Sequence, residues 1–308
     1  MMERVLVTGA GGFIGSHLIE KLHAQGAYVI ALDDLSVGKL ENLEANFDCF
    51  LEKDLAVPEN VENLPKVDYV YHFAAPCSII MFKRDNTNQL INSTLNGFYN
   101  ILNYCKKNNV KKLIWASSAT YYGNSKGKLT EDRMPNPANV YGYTKVASEH
   151  LMNLFKDVNH VGLRIFPAYG GKEEHKGTFA SVPYLFLKDM LQGITPVIWG
   201  DGTQARDFIY ISDLVDLIVK AGHKDTSPYL NLGTGQKMQF NTLVKEINRV
   251  IGTNIAPKYM PNPYANSYLH SFVADTTLMK KELGTANTSI KEGLQLTAEW
   301  IKRKVLHR

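Results

Sequence analysis

Tyr141 and Lys145 stand four residues apart in Tyr141-Gly142-Tyr143-Thr144-Lys145, and a serine pair, Ser117-Ser118, lies upstream. On a helix, a residue four positions on lies one turn further along the same face. That places an ammonium beside a phenol, where it stabilises the phenolate and brings the tyrosine's usual pKa of about 10 toward a working pH. The chain opens with a glycine turn, Thr8-Gly9-Ala10-Gly11-Gly12-Phe13-Ile14-Gly15. Gly9, Gly12 and Gly15 allow a tight turn, close approach of backbone to a pyrophosphate, and close packing of helix on strand. The combination implies hydride transfer between a dinucleotide and an alcohol.

These groups need elements to hold them. Arg4 to Thr8 reads as a strand, Phe13 to Gln25 as an amphipathic helix, and Tyr28 to Leu32 as a second strand ending at Asp33-Asp34. Further strands are expected at Val67 to Phe73, Lys112 to Ala116 and Val161 to Phe166, with helices at Thr94 to Lys107 and Val140 to Phe155. Near-continuous apolar strands alternating with helices predict an α/β, Rossmann-type, doubly wound parallel sheet covered on both faces. Ligands on such a sheet sit at the C-terminal strand ends. Gly9, Asp33, the segment Phe73-Ala74-Ala75 and Ser118 all fall there. Asp33 is placed to accept hydrogen bonds from adenosine ribose hydroxyls, which favours NAD; Asp34 is the alternative for that role, and nearby Lys39 leaves NADP open. Beyond Phe166, Gly and Pro become frequent and elements shorten. A helix is expected at Phe179 to Gln192, a strand at Pro196 to Trp199, and a helix at Asp213 to Ala221 capped by Ser212. Residues 1–166 therefore read as an NAD-binding domain, with a segment at about 200–235 returning to it, and 167–308 mainly as a smaller substrate-binding lobe.

The glycine spacing with Tyr-x-x-x-Lys downstream resembles the extended short-chain dehydrogenase/reductase family, in particular its NAD-dependent nucleotide-sugar epimerases and dehydratases. The resemblance runs through the whole chain. It implies that Tyr141 is the catalytic tyrosine, that Lys145 holds the nicotinamide ribose, and that Ser118 hydrogen-bonds the reacting hydroxyl. Phe13 and Ile14 join the glycines at the pyrophosphate, Asp54-Leu55 contacts adenine, and Phe73-Ala74-Ala75 lies under the pyrophosphate and nicotinamide ribose. Asp201-Gly202-Thr203-Gln204-Ala205-Arg206-Asp207-Phe208 and Asn231-Leu232-Gly233-Thr234-Gly235 resemble the nucleotide-sugar branch. There Arg206 would clamp a diphosphate, a task suited to a guanidinium fork; from local sequence a pairing with Asp201 or Asp207 is equally open. Ser78, Thr120 and Tyr268 complete the implied substrate side with Ser118. His175-Lys176-Gly177 followed by Phe179-Ala180-Ser181-Val182 is similar to a loop of ADP-heptose 6-epimerases and some UDP-hexosamine 4-epimerases. In the heptose enzymes that lysine, here Lys176, is a candidate second acid/base; the bland reading is a solvated lysine on a mobile loop.

Three positions depart from the family. Pro167 and Thr94 stand where asparagines are usual, and Asn266-Ser267-Tyr268 occupies a region where an arginine is usual. Proline offers neither an amide nor a backbone N–H, so substrate contacts there must differ. The resemblance implies an NDP-sugar epimerase with bound NAD and no net redox. A 4,6-dehydratase would carry an Asp-Glu pair where this chain has Ala119-Thr120. A keto-sugar reductase and a non-catalytic dinucleotide binder are the remaining readings, and the intact Ser118, Tyr141 and Lys145 set favours an enzyme. Family dimers pair through a four-helix bundle, which predicts a homodimer here with Phe98, Ile101, Leu151 and Leu154 facing outward.

Composition fits this picture. The chain has 308 residues and a formal charge of +4, long enough for a large core. Lys302-Arg303-Lys304 is the one compact basic cluster, so nucleic acid is not expected as a partner. Cys49, Cys77 and Cys105 show no metal-ligand spacing; no metal is expected, and a reduced, cytoplasmic protein is. No apolar run is long enough to span a bilayer, and no secretory leader pattern precedes Arg4.

Overall fold

The computed structural model describes residues 2–44, 46–78, 81–82, 85–123, 125, 127–262 and 270–306. Seven parallel strands form the central sheet: β1 (Arg4–Thr8), β2 (Tyr28–Asp33), β3 (Cys49–Glu52), β4 (Tyr69–His72), β5 (Lys112–Ser118), β6 (His160–Ile165) and β11 (Tyr229–Leu232). Their spatial order is β11-β6-β5-β4-β1-β2-β3. The order reverses between β1 and β4, where Thr8 is in register with His72. That reversal opens a crevice at the strand ends. Helices cover both faces. α1 (Phe13–Ala24) and α6 (Ile211–His223) bury one face through Leu18, Ile19, Leu22, Leu214 and Ile218. α3 (Thr87–Asn108) buries the other through Phe98, Ile101, Leu102 and Cys105. These residues recur at three- and four-residue spacing, so each helix turns one apolar stripe to the sheet.

α3 begins seven residues before the expected Thr94. Its first turns are rich in Asn, Ser and Thr, which read as loop because their side chains compete for the backbone. Here the hydroxyls of Ser93 and Thr94 both donate to the Leu90 carbonyl, so the competition is resolved inside the helix. Phe98 and Ile101 are buried in the core against the sheet, not outward as expected. Of the four residues predicted to face a partner, Leu154 is 71% exposed and Leu151 is half-buried. α4 (Val140–Leu151) starts at Asn139, whose Oδ1 accepts from Gly142 N at 2.9 Å, and passes into a 3-10 turn over Met152–Leu154. α6 begins at Ile211 with Tyr210 at the cap, so Ser212 is not the cap. The parallel pairing of β10 (Ile209–Tyr210) with β7 (Ala168–Tyr169) carries extended backbone up to that point. The short edge strand β3 was not expected from sequence.

Several later elements build a second lobe. α5 (Val182–Leu191), α7 (Phe240–Ile251) and α9 (Ile290–Ile301) pack around Leu187, Leu243, Ile247 and Leu294. β8 (Val197–Trp199) pairs with β13 (Lys258–Met260), and β9 (Ala205–Arg206) lies between β12 (Met238–Gln239) and β14 (Ser271–Phe272). Helix α5 starts at Val182 because Ser181 caps it, accepting from Tyr184 N; Phe179 belongs to the 3-10 turn before it.

Candidate active site

A cleft of about 440 Å³ runs along the strand ends between the two lobes. Its floor begins at the glycine turn. Gly9 has φ of +69°, and a side chain there would meet Phe73 C at 2.6 Å; a Cβ on Gly15 would lie 2.0 Å from Gly9 O. Glycine is thus required for helix, turn and the Phe73-Ala74 segment to approach one another. The first turn of α1 carries no acidic residue, and its cap, Gly12, offers no side-chain acceptor. The amides of Phe13, Ile14 and Gly15 have no partner within the helix, and such an end binds phosphate.

Asp33 ends β2 and is buried. Its Oδ2 accepts from Gly11 N and its Oδ1 from Leu35 N, both at 2.9 Å. Burial raises its pKa against those two hydrogen bonds. An ionised carboxylate keeps further acceptor sites, so Asp33 can still receive a ribose hydroxyl. Asp34 is engaged by Ser36 N and Oγ.

At the other end, β5 delivers Ser118 and α4 delivers Tyr141 and Lys145. Ser118 Oγ accepts from Thr120 N at 3.2 Å and from Thr120 Oγ1 at 2.9 Å, and its hydroxyl lies where it favours the ionised form of Tyr141. Lys145 Nζ lies 5.8 Å from the Tyr141 ring centroid and donates to Ala116 O at 3.0 Å. All three are buried. Burial dominates their protonation: it pushes the Tyr141 phenol well above its ordinary range, the Ser118 hydrogen bond acting the other way, and draws Lys145 down to about 8. Burial of the phenol works against the lowering expected from Lys145, whose ammonium is bonded to Ala116 O.

Ser118 is held from behind. Ser117 Oγ donates to Glu149 Oε1 at 2.6 Å, and Arg164 grips both oxygens of Glu149 through Nε at 3.0 Å and Nη2 at 2.8 Å. Arg164 Nη1 also donates to Tyr122 OH, which donates to Asn231 Oδ1. This buried pair ties the end of β5 to α4, β6 and β11.

Gly9, Gly12, Phe13, Ile14, Gly15, Asp33, Asp34, Asp54, Leu55, Phe73, Ala74, Ala75, Ser78, Ser118, Thr120, Tyr141, Lys145 and Lys176 all line this one cleft. Arg206 does not: it sits one layer back, its guanidinium 4.7 Å from the Phe272 ring and Nη1 donating to Ala205 O and His270 O. Asp201 instead receives Thr203, and Asp207 receives Thr234, Gly235 and Ala274. Tyr268 lies outside the described residues. Pro167 lines the cleft, with its carbonyl accepting from Ile209 N. Lys176 is not a solvated loop residue: its side chain is 10% exposed and paired with Glu173 at 2.7 Å. Sequence reasoning named His175 only within the loop motif and missed Glu173, Phe272 and Cys77 as parts of this region; the acidic pair just before His175-Lys176 was the signal for Glu173.

A family model described as the NAD dependent epimerase/dehydratase family matches residues 5–233. This chain belongs to that family. It is 32% identical to UDP-glucose 4-epimerase of Mycolicibacterium smegmatis, over 98% of this chain and 99% of that one. Among solved structures it resembles UDP-glucose 4-epimerase from Thermotoga maritima, determined with UDP-glucose, at a TM-score of 0.92 and 32% identity, covering 98% and 99% of the two chains. It also resembles Helicobacter pylori ADP-L-glycero-D-manno-heptose-6-epimerase, with a TM-score of 0.89, 26% identity and coverage of 98% and 96%. The family's cofactor is NAD, and the open first turn of α1, the glycine cradle and Asp33 fit it.

Proposed function

We propose that this enzyme epimerises a nucleotide-diphosphate sugar through a transient keto-sugar, with NAD reduced and reoxidised in each turnover. The observation that carries this reading is the convergence of Tyr141, Ser118 and Lys145 with the glycine cradle in one cleft. NAD, when bound, supplies the hydride acceptor and donor and, in its oxidised form, a positive ring charge that favours the Tyr141 phenolate. Gly9, Gly12 and the amides of Phe13, Ile14 and Gly15 hold its pyrophosphate, Asp33 its adenosine ribose and Lys145 its nicotinamide ribose. Tyr141 takes the proton from the sugar hydroxyl and later returns it. Ser118 orients that hydroxyl and stabilises charge on its oxygen. Thr120 and Ser78 line the sugar side.

Elimination of water needs an acid and base beside the sugar. Among the described residues the only carboxylates lining the cleft are Asp33, Asp34 and Asp54, all at the adenosine end, while Ala119 and Thr120 flank the serine. This favours epimerase over dehydratase. The test is incubation with UDP-, ADP-, GDP- and dTDP-sugars and separation of products by mass and chromatography. An epimer of unchanged mass without NADH accumulation is expected. A product 18 mass units lighter would replace this reading with a dehydratase, and stoichiometric cofactor consumption with a reductase.

The same reading makes residues 1–166 the cofactor domain, completed by β11, and the rest mainly a substrate lobe. It also makes the enzyme a homodimer through a four-helix bundle of α3 and α4 from each copy, supported by exposed Tyr99, Tyr143 and Leu154 on those segments. Three free thiols suit a reducing, cytoplasmic setting.

A further inference from the structure

Glu173 has no exposed surface, yet it is a carboxylate beside the cleft. Four donors converge on it: Ser181 N, Ser181 Oγ and Lys176 Nζ, each at 2.7 Å, and Gly170 N at 3.2 Å. These fill the roughly four acceptor sites of an ionised carboxylate, and Lys176 supplies the only positive charge among them. The turn that carries Lys176 is braced throughout. Gly171 lies under the Trp300 indole, where a Cβ would stand 2.6 Å from the ring. Trp300 Nε1 donates to Glu174 Oε1 at 2.6 Å, Lys172 pairs with Glu20, and His175 Nδ1 meets Asn42 Nδ2 at 3.0 Å.

Lys176 Nζ lies 4.8 Å from the ring centroid of Phe13, the first residue of α1. The ammonium and the positive end of that helix therefore border the same part of the cleft. Two positive ends facing one volume suit an anion between them. A proton carrier must change charge during turnover. If Lys176 did so, it would strand the Glu173 charge in the interior.

We propose that Glu173 is a positioning residue that holds Lys176 as a permanent ammonium in the cleft wall, where it binds a diphosphate oxygen of a bound ligand and relays no proton during turnover. This rests on the reading of the cleft as a site for a dinucleotide and a nucleotide sugar, either of which brings a diphosphate. The groups facing Lys176 agree with it. Burial opposes its charge, but Glu173 outweighs that and holds its pKa above the usual lysine value, with Cys77 from the segment after β4 acting in the same sense. His175, drawn down to about 4 chiefly by burial, adds no charge at neutral pH. Tyr141 remains the one proton carrier, so a single face of the cleft would serve both half-reactions.

The test is calorimetric titration of the purified enzyme with NAD and, separately, with UDP. Lys176→Met is expected to weaken one of the two about ten- to a hundredfold, the scale of a charge-assisted hydrogen bond. Loss confined to NAD assigns the dinucleotide; loss confined to UDP assigns the sugar nucleotide. Glu173→Gln removes the partner and leaves burial, so the affinity of variant relative to wild type falls as pH rises from 7 to 9.5. The ratio cancels the titration of Lys145, common to both. Glu173→Gln with Lys176→Arg restores a constant ratio, because a guanidinium stays charged. If Glu173→Gln does not fold, the Lys176→Met result decides alone. Unchanged affinity for both probes in Lys176→Met, equal loss of both, or a pH-independent ratio in a folded Glu173→Gln overturns the proposal. These are binding measurements, so failure to find an epimerase substrate leaves their outcome legible.

Discussion

Replacing Tyr141 by Phe isolates proton transfer from architecture. The ring is buried beside Phe82, centroids 6.1 Å apart, and Phe keeps that packing. Only the hydroxyl and its bond to Ser118 are lost. Ser118 Oγ still receives Thr120 N and Thr120 Oγ1, so its acceptor sites stay filled and only its own hydroxyl proton loses a neighbour. The stability change should stay within about 1 kcal/mol, the net worth of one neutral hydrogen bond. The rate should fall about 100- to 10,000-fold, or about 3–5 kcal/mol in the barrier, the range for removing a general acid/base. NAD affinity should persist, because Lys145 keeps its bond to Ala116 O and the glycine cradle is untouched. The assay is epimer formation under saturating sugar nucleotide, with calorimetric NAD titration and urea denaturation on the same preparations. Epimerase activity within threefold of wild type would remove Tyr141 as the proton carrier. A rate loss accompanied by lost NAD binding would show instead that the hydroxyl holds the cofactor, so that the rate loss does not isolate proton transfer.

Gly15→Ala should weaken NAD binding by about tenfold or more, since the new methyl would fall 2.0 Å from Gly9 O and drive α1 off the turn; unchanged affinity by titration would contradict the cradle. Arg164→Met should cost about 3–5 kcal/mol in urea unfolding, because it leaves Glu149 charged, buried and held only by Ser117; a cost under about 1 kcal/mol would show that Glu149 is neutral or rehydrated. His72 is held neutral down to about 3, first by burial and then by the Lys145 charge. A lowered histidine pKa contributes stability that is complete above its unfolded value of about 6.5 and lost as pH falls from there toward the folded value. His72→Asn, which keeps a partner for Thr8 Oγ1, should therefore flatten the decline of the urea midpoint between pH 6.5 and 4; an unaltered slope would disprove the assignment. Sedimentation at micromolar concentration should give a dimer mass, and a monomer would eliminate the proposed helix bundle.

Local signals made most of the lining of the cleft legible. Glycines at 9 and 15 are dictated by backbone approach, which a Cβ would block, and the Tyr-x-x-x-Lys spacing puts both side chains on one face once it lies on a helix. Continuous apolar runs announced parallel strands, because both faces of such a sheet are buried. The rotation of α3 was not legible: Phe98 and Ile101 face the sheet because packing turns the stripe they share with Leu102 and Cys105 toward it. Nor was the ionisation of Tyr141 and Lys145, since spacing reports their neighbourhood while burial, a property of the whole fold, sets the larger influence on both. Lys176 shows the same division most plainly. Its type and position were visible in the chain, but its partner Glu173, the Ser181 donors and the Trp300 brace come from separate stretches that only tertiary folding brings together, so a side chain that reads as a solvated loop lysine becomes a buried, fixed cation.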